Sequence, residues 1–250
     1  MNDPIEVLNR LKQRAKLPAN REIKGIDIDP PAAALVHDLD HRPHAFLLGC
    51  IADRQILASR AWELPWHLSQ RIGGFGIDRL RHLSPEEWSA AMSRPTPLHR
   101  FHKTMAENLR LAIELVCDRY DGDAARIWND GSSSWEALRR FREFRGVGVK
   151  IANMAVNILV RDFGVTFASL TALDVAPDVQ VRRVFARLGL VHPEPSREDV
   201  MYRARELNPE WPGLLDWPVW EIGKQWCHAP APACHACPME SVCPTVGERL

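Results

Sequence analysis

The chain has 250 residues and a mass of 28.4 kDa, enough for one sizeable hydrophobic core or two small ones. Apolar residues make up 46% of it and charged residues 26%, and no apolar stretch reaches the roughly 18 residues that a membrane span needs, so we expect a cytoplasmic protein. The formal net charge is zero, which argues against a uniformly basic nucleic-acid binder.

The sequence predicts a mainly α-helical protein, because apolar residues recur at helical spacing along almost the whole chain. A first long apolar helix is expected to extend through Gln55. Ser84, with proline next and Glu87 three residues on, forms a capping box that starts another helix. Further amphipathic helices are predicted at about 98–120, 135–143, 149–161 and 179–189. Only residues 164–168 could form a strand, and that segment is short.

Two glycines lie between two of these helices, in the sequence Arg145-Gly146-Val147-Gly148, and Lys150 follows them. Glycine allows a tight turn with positive φ and carries no side chain that would keep a neighbour away. Backbone amides at the start of the next helix then face outward, which suits one phosphate of a DNA strand. The alternative is a simple corner between two helices that binds nothing.

Basic residues are concentrated in three places although the chain as a whole is neutral, which suggests a basic surface with acidic residues elsewhere. The three groups are Arg10, Lys12, Arg14, Lys16, Arg21 and Lys24; Arg139, Arg140, Arg142, Arg145 and Lys150; and Arg182, Arg183 and Arg187.

Asp178 directly precedes a helix with one apolar stripe, the position that an N-terminal cap occupies. Most aspartates at such positions are only caps, but a carboxylate there can also take part in catalysis. Asp174 is a rival candidate for the catalytic role.

Four cysteines near the C-terminus, Cys227, Cys234, Cys237 and Cys243, have the spacing C-x6-C-x2-C-x5-C. Zinc sites usually pair two short C-x2-C knuckles, whereas this run has one, so the spacing favours an iron–sulfur cluster over zinc. Disulfides would need an oxidising compartment, and the first thirty residues contain no apolar signal segment.

Together these motifs resemble the endonuclease III branch of the helix-hairpin-helix DNA glycosylases. The cysteine spacing and position resemble that family's 4Fe-4S loop. Residues 144–153, FRGVGVKIAN, look like its L-P-G-V-G-x-K-T-A-N hairpin, with Arg145 in place of proline. Residues 177–189, PDVQVRRVFARLG, resemble its V-D-T-H-x-x-R-V-x-x-R-L-G segment, with a longer stretch before it and Val179-Gln180 in place of Thr-His.

The resemblance implies a function for each motif. Lys150 stands at the position of the lysine nucleophile of bifunctional members, and Asp178 at that of the catalytic aspartate. Gln55 matches a glutamine that enters the duplex near the extruded nucleotide, although a solvent-facing glutamine is the simpler interpretation. Arg145, Gly146, Val147 and Gly148 would bind the DNA backbone, and the four cysteines would hold a 4Fe-4S cluster.

The implied fold is all-α with two lobes around a cleft. A six-helix lobe is expected at about residues 40–160, and a cluster lobe would combine residues 1–39 with 161–250, its 4Fe-4S loop at 227–243. The implied activity is excision of a damaged or mismatched base from double-stranded DNA, with associated AP lyase cleavage. We expect a monomer, associated with the nucleoid if the source is bacterial.

Two other functions are compatible with the same sequence. The first is a monofunctional glycosylase, in which Asp178 activates water and Lys150 only faces a phosphate. The second is a non-catalytic DNA-binding or redox-sensing protein that keeps the cluster and the hairpin. The sequence does not identify the lesion, because the residues that line a base pocket are scattered along the chain.

Overall fold

The computed structural model describes residues 3–15 and 19–246, and within these ranges the protein is helical with no β-strand. The α-helices are α1 (Pro4–Ala15), α2 (Pro30–Val36), α3 (Pro43–Ala52), α4 (Ala58–Ile72), α5 (Ile77–Arg81), α6 (Pro85–Ser93), α7 (His102–Arg119), α8 (Ser134–Phe141), α9 (Val149–Phe163), α10 (Val179–Arg187), α11 (Arg197–Leu207) and α12 (Asp216–Gln225). Short 3₁₀ helices lie at Ala124–Ile127, Pro212–Leu215, Cys234–Ala236 and Glu240–Val242.

The all-α prediction is confirmed, and local sequence signals account for several helix ends. The Ser84 capping box is present: the Ser84 hydroxyl accepts from the Glu87 amide at 3.2 Å, and the Glu87 carboxylate accepts from the Ser84 amide at 2.7 Å. Helix α7 begins at His102 rather than near residue 98. Pro95 and Pro97 lie just before this helix, and proline restricts the backbone and removes a hydrogen-bond donor.

The chain divides into two compact units. The second unit contains Asn20–Ser132 and Glu136–Ala155, and every residue of α3 is buried within it. Helices α2 and α3 pack on α4, while α3, α5 and α6 pack on α7. A helix that is buried on all sides and mostly apolar is what a central core element requires, and its one polar side chain, His44, is hydrogen-bonded to the Phe75 carbonyl at 2.7 Å.

The first unit contains the described residues of Met1–Ala19, Ser133–Trp135 and Val156–Leu250. Its core brings the apolar faces of α10 and α12 together, and α1 packs on α12 through Val7 and Leu11, both buried. Met239 and Val242, which lie among the C-terminal cysteines, belong to the same core.

The division into units differs from the expected lobes in three places. Residues 20–39 belong to the second unit, because α2 packs against α4, whereas residues 133–135 and 156–160 belong to the first. No helix in the described ranges has the length and apolar character that a transmembrane segment requires.

Candidate functional site

The glycine hairpin connects α8 to α9 by a tight turn at Gly146, whose φ is +92°. The Val147 amide donates to the Phe144 carbonyl at 3.0 Å, and the Val147 side chain is buried. The sequence suggested a positive φ for both glycines, but Gly148 does not have one. No atom lies within 4 Å of the position that a Cβ on Gly148 would occupy. Gly146 therefore makes the turn, and Gly148 leaves open space beside the start of α9.

Gln55 does not lie inside a helix, contrary to the prediction. Helix α3 ends at Ala52, and Gln55 is an exposed residue of the loop before α4 with φ of +56°. Left-handed backbone is uncommon for a residue with a side chain, and such conformations concentrate at functional sites. The loop presents the Gln55 side chain to solvent rather than to a neighbouring helix.

The second unit places the Gln55 loop next to the hairpin, although about ninety residues separate them in sequence. A Cβ added to Gly146 would lie 2.8 Å from Nδ2 of Asn108 and 3.7 Å from Nη1 of Arg54. Arg145 is exposed, and its guanidinium lies 3.8 Å from the Glu107 carboxylate. Two of the predicted DNA-contacting segments are therefore neighbours on one unit.

A third segment, just before α7, adjoins the Gln55 loop and was not identified from the sequence. The buried His99 ring accepts a hydrogen bond at Nδ1 from the Phe101 amide at 2.9 Å. Burial lowers the pKa of His99, and the carbonyls of Ala52 and Arg54 partly offset that effect. Phe101 itself is 41% exposed, with the Arg100 guanidinium 5.0 Å above its ring. The signal in the sequence was an aromatic residue directly between a basic residue, Arg100, and His102.

Lys150 and Asp178, the two predicted catalytic residues, fall in different compact units. Lys150 is exposed in the first turn of α9, so burial does not desolvate its ammonium group. Asp178 is half-buried and caps α10: its Oδ1 accepts from the amides of Gln180 at 2.8 Å and Val181 at 2.9 Å. Asp178 therefore caps α10 as predicted, and both capping hydrogen bonds go to Oδ1 rather than to Oδ2.

Asp174, the rival carboxylate, forms a bidentate ion pair with Arg205. Both of its carboxylate oxygens lie 2.7 Å from nitrogens of that guanidinium, and the Asp174 side chain is buried. The Asp174 backbone carbonyl also accepts a hydrogen bond from Asn157 at 2.9 Å. Because both oxygens already bind a cation, Asp174 is suited to fixing the long segment after α9 rather than to proton transfer.

The four C-terminal cysteines surround one cavity of about 30 Å³. Apolar side chains complete much of its wall: Val184, Leu188, Ile222 and Met239. Burial raises the pKa of the Cys237 thiol, a hydrogen bond with the Met239 backbone partly offsets that effect, and the charges of the other three cysteines raise the pKa further. Soft sulfur donors around an apolar cavity suit an iron–sulfur centre. In the described ranges no three His, Cys, Asp or Glu side chains are arranged to hold a single metal ion.

Comparison with solved structures identifies the fold. A trapped covalent intermediate of endonuclease III with DNA superposes with a TM-score of 0.62 at 19% identity, covering 98% of this chain and 97% of that one. A thermostable thymine-DNA glycosylase gives 0.63 at 14% identity, with 96% and 95% covered. The chain has the fold of the helix-hairpin-helix DNA glycosylases. A Methanocaldococcus jannaschii 8-oxoguanine DNA glycosylase also matches, with a TM-score of 0.53, 16% identity and coverage of 87% and 94%.

The likeness to helix-hairpin-helix DNA glycosylases lies in the fold, because all three identities are below one fifth. No protein-family model matches the sequence, and no curated protein sequence matches it. The predicted all-α helix-hairpin-helix fold is confirmed, whereas the iron–sulfur cluster and the roles of individual residues stay predictions.

Within this helix-hairpin-helix fold, the basic residues are mostly engaged by protein groups. Arg139 binds the carboxylates of Glu136 and Glu143, and Arg140 binds Asp130 at 2.7 Å. On α10 the side chains of Arg182, Arg183 and Arg187 all donate to backbone carbonyls. Arg187 is buried, so its prediction as part of a basic surface is wrong. Lys16 lies outside the described residues.

Proposed function

We propose that the chain is a DNA glycosylase of base-excision repair, which extrudes a damaged or mismatched base from duplex DNA and cleaves its N-glycosidic bond. The observation that carries the proposal is the adjacency of the Gln55 loop and the Gly146 hairpin on a fold shared with DNA glycosylases. The hairpin would hold one backbone phosphate through the amides at the start of α9. Gln55, exposed at the tip of its loop, would fill the space that the extruded base leaves.

Extrusion accounts for part of the expected selectivity. Taking a base out of the stack costs a few kcal/mol, and a damaged or mispaired base lowers that cost. The second unit would supply the contacts for this step, because the Arg54 guanidinium, next to Gln55 in sequence, lies beside the hairpin that is proposed to bind the strand. The protein is expected to act on duplex DNA as a monomer.

For the chemical step we propose that the Asp178 carboxylate stabilises positive charge developing at C1′ of the extruded nucleotide. Its Oδ1 is fixed by two amides of α10, which orients the group before substrate binds. Lys150, after its exposed ammonium group has given a proton to solvent, would attack C1′ with its amine, the base would leave with the glycosidic electron pair, and a Schiff base would form on the opened sugar. β-Elimination would then break the bond 3′ to the lesion.

Borohydride trapping on an oligonucleotide with an abasic site tests the lysine step. Wild-type protein should form a covalent adduct, and both Lys150→Ala and Lys150→Arg should not. The arginine variant is the sharper control, because it keeps a cation for phosphate binding but has no nucleophilic amine at neutral pH. Equal adduct in wild type and Lys150→Arg, with matched DNA affinity, would exclude Lys150 as nucleophile.

One structural observation favours a second candidate, a monofunctional glycosylase. Lys150 is exposed in the first turn of α9, immediately after the hairpin, where an ammonium can contact a phosphate. Asp178 would then activate water. A panel of lesion oligonucleotides, scored separately for base loss and strand nicking, separates the candidates: base loss without nicking identifies the monofunctional enzyme. Salt-dependent DNA binding with no base loss from any lesion would identify a non-catalytic protein.

We further propose that Cys227, Cys234, Cys237 and Cys243 hold a 4Fe-4S cluster. When bound, such a cluster would contribute binding free energy to folding and fix the last loop against α10 and α12. Protein purified without oxygen should be brown and carry about four irons per chain. A colourless preparation with one zinc per chain would refute the cluster without affecting the proposed glycosylase chemistry.

A further inference from the structure

Arg187, at the end of α10, contacts both ends of the cysteine loop. Its Nη1 lies 3.4 Å from the Cys227 sulfur and donates to the His228 carbonyl at 2.7 Å, while Nη2 donates to the Ala229 carbonyl at 3.0 Å. Its own backbone carbonyl accepts from the Thr245 hydroxyl at 2.9 Å and lies 3.5 Å from the Cys243 sulfur. One residue therefore touches the first and the last of the four thiols.

The Arg187 guanidinium is a buried cation without a carboxylate partner. The residue is only 4% exposed, its Nε has no hydrogen-bond acceptor, and within the described residues it forms no ion pair. The one carboxylate lining the same cavity, Glu240, is hydrogen-bonded to His235 at 2.9 Å. Burying an uncompensated charge is costly, so such groups are normally paired with an opposite charge or bound to a metal site.

The cysteines that line the cavity can balance the positive charge of Arg187 only if they are thiolates. A 4Fe-4S cluster with four thiolate ligands carries a net negative charge, because the irons offset only part of the charge on the sulfides and thiolates. Arginine suits this location chemically, because the N–H groups of its planar guanidinium can donate hydrogen bonds to one sulfur and two carbonyl oxygens at once.

We infer that Arg187 is the counter-cation of the iron–sulfur centre and helps set both its retention and its reduction potential. The inference rests on the proposed 4Fe-4S cluster. A positive charge next to Cys227 stabilises the more negative, reduced state of the cluster, so it raises the reduction potential. Removing the charge should lower the potential and weaken the hold of the loop on the cluster.

Three variants of the full-length holoprotein test this inference. Arg187→Gln keeps an N–H donor but removes the charge, and Arg187→Lys keeps the charge but loses the planar set of donors. Arg182→Gln is the matched control, because Arg182 lies on the same helix and its Nε donates to the Pro195 carbonyl, away from the cysteine cavity. The readouts are iron release to a chelator and reduction potential by spectroelectrochemical titration.

Arg187→Gln should release iron about tenfold faster than wild type, a typical effect of losing a partner of a metal ligand, and its potential should be lower. Arg187→Lys should keep a potential near that of wild type, and Arg182→Gln should match wild type in both measurements. If Arg187→Gln does not fold, Arg187→Lys still tests the electrostatic role, because it keeps the positive charge. A reduction potential of Arg187→Lys well below that of Arg182→Gln would then overturn this role.

Other outcomes also count against the inference. Arg187→Gln with the iron release and potential of Arg182→Gln would show that the guanidinium neither retains the cluster nor sets its potential. Iron-free wild-type protein would instead refute the cluster itself, which is a distinguishable failure because it is read from the metal content of the unmodified chain.

Discussion

Gly146→Ala is expected to destabilise the second unit, for two reasons that the structure separates. The first is backbone strain: φ at this position is +92°, and left-handed backbone costs a residue with a Cβ about 1–2 kcal/mol. The second is steric, because the new Cβ would lie 2.8 Å from Nδ2 of Asn108, a residue only 2% exposed. Displacing a packed side chain adds about 1–2 kcal/mol.

Together these effects should lower the free energy of unfolding by about 2–4 kcal/mol. Urea unfolding followed by circular dichroism measures this quantity. Gly148→Ala is the matched control: it changes the same kind of residue two positions away, where φ is not positive and no atom lies within 4 Å of the new Cβ. Its stability should stay within about 1 kcal/mol of wild type.

A double variant separates the two contributions. Asn108→Ala removes the group that the new Cβ would meet, and it also removes an amide oxygen that is buried without a hydrogen-bond partner. In Gly146→Ala/Asn108→Ala the steric part of the loss should disappear, while the backbone part stays.

The two glycine variants should also differ in DNA binding. Gly148→Ala should weaken binding despite its stability, because its methyl group would occupy the open space beside the start of α9. Fluorescence anisotropy with an abasic-site duplex measures this affinity. The reasoning would be refuted if Gly146→Ala were as stable as Gly148→Ala, or if Gly148→Ala bound the duplex like wild type.

Three further predictions concern the carboxylates and the cysteines. Asp178→Asn should keep the cap of α10 and stay within about 1 kcal/mol of wild-type stability, yet lose base excision by about a hundredfold or more in single-turnover assays; undiminished excision would exclude a catalytic carboxylate there. Asp174→Asn should lower stability by about 1–3 kcal/mol in urea unfolding with excision by folded protein unchanged, since it weakens the Arg205 pair. Removing metal with a chelator should lower the thermal midpoint, and an unchanged midpoint would show that the loop is held without metal.

Short-range signals in the sequence were sufficient for much of the secondary structure. The Ser84 capping box, the apolar periodicity of α9 and α10 and the glycines of the hairpin act within a few residues of themselves. Each expresses a local free-energy preference, so each can be recognised without knowing what it packs against. The cysteine spacing is similar, because ligands three residues apart can meet at one centre through a single turn.

Charge and exposure could not be assigned in the same way. Arg187 has the same side chain as its exposed counterparts, and only the packing of α10 against the cysteine loop buries it. Asp174 and Asp178 are four residues apart and equally acidic, but Arg205, 31 residues from Asp174, engages one and leaves the other to cap a helix. Whether such a side chain is buried or ion-paired depends on which residues, distant in sequence, pack beside it in the folded protein.

The sequence by itself therefore determined most of the helices and the turn of the hairpin, because their causes are local hydrogen bonds and backbone preferences. Tertiary structure alone decided that the Gln55 loop lies beside Gly146, about ninety residues later, and that Gln55 leaves the helix in a left-handed conformation. Long-range contacts of this kind arise from burying apolar helix faces in a shared core, which constrains distant segments in ways that no local pattern records.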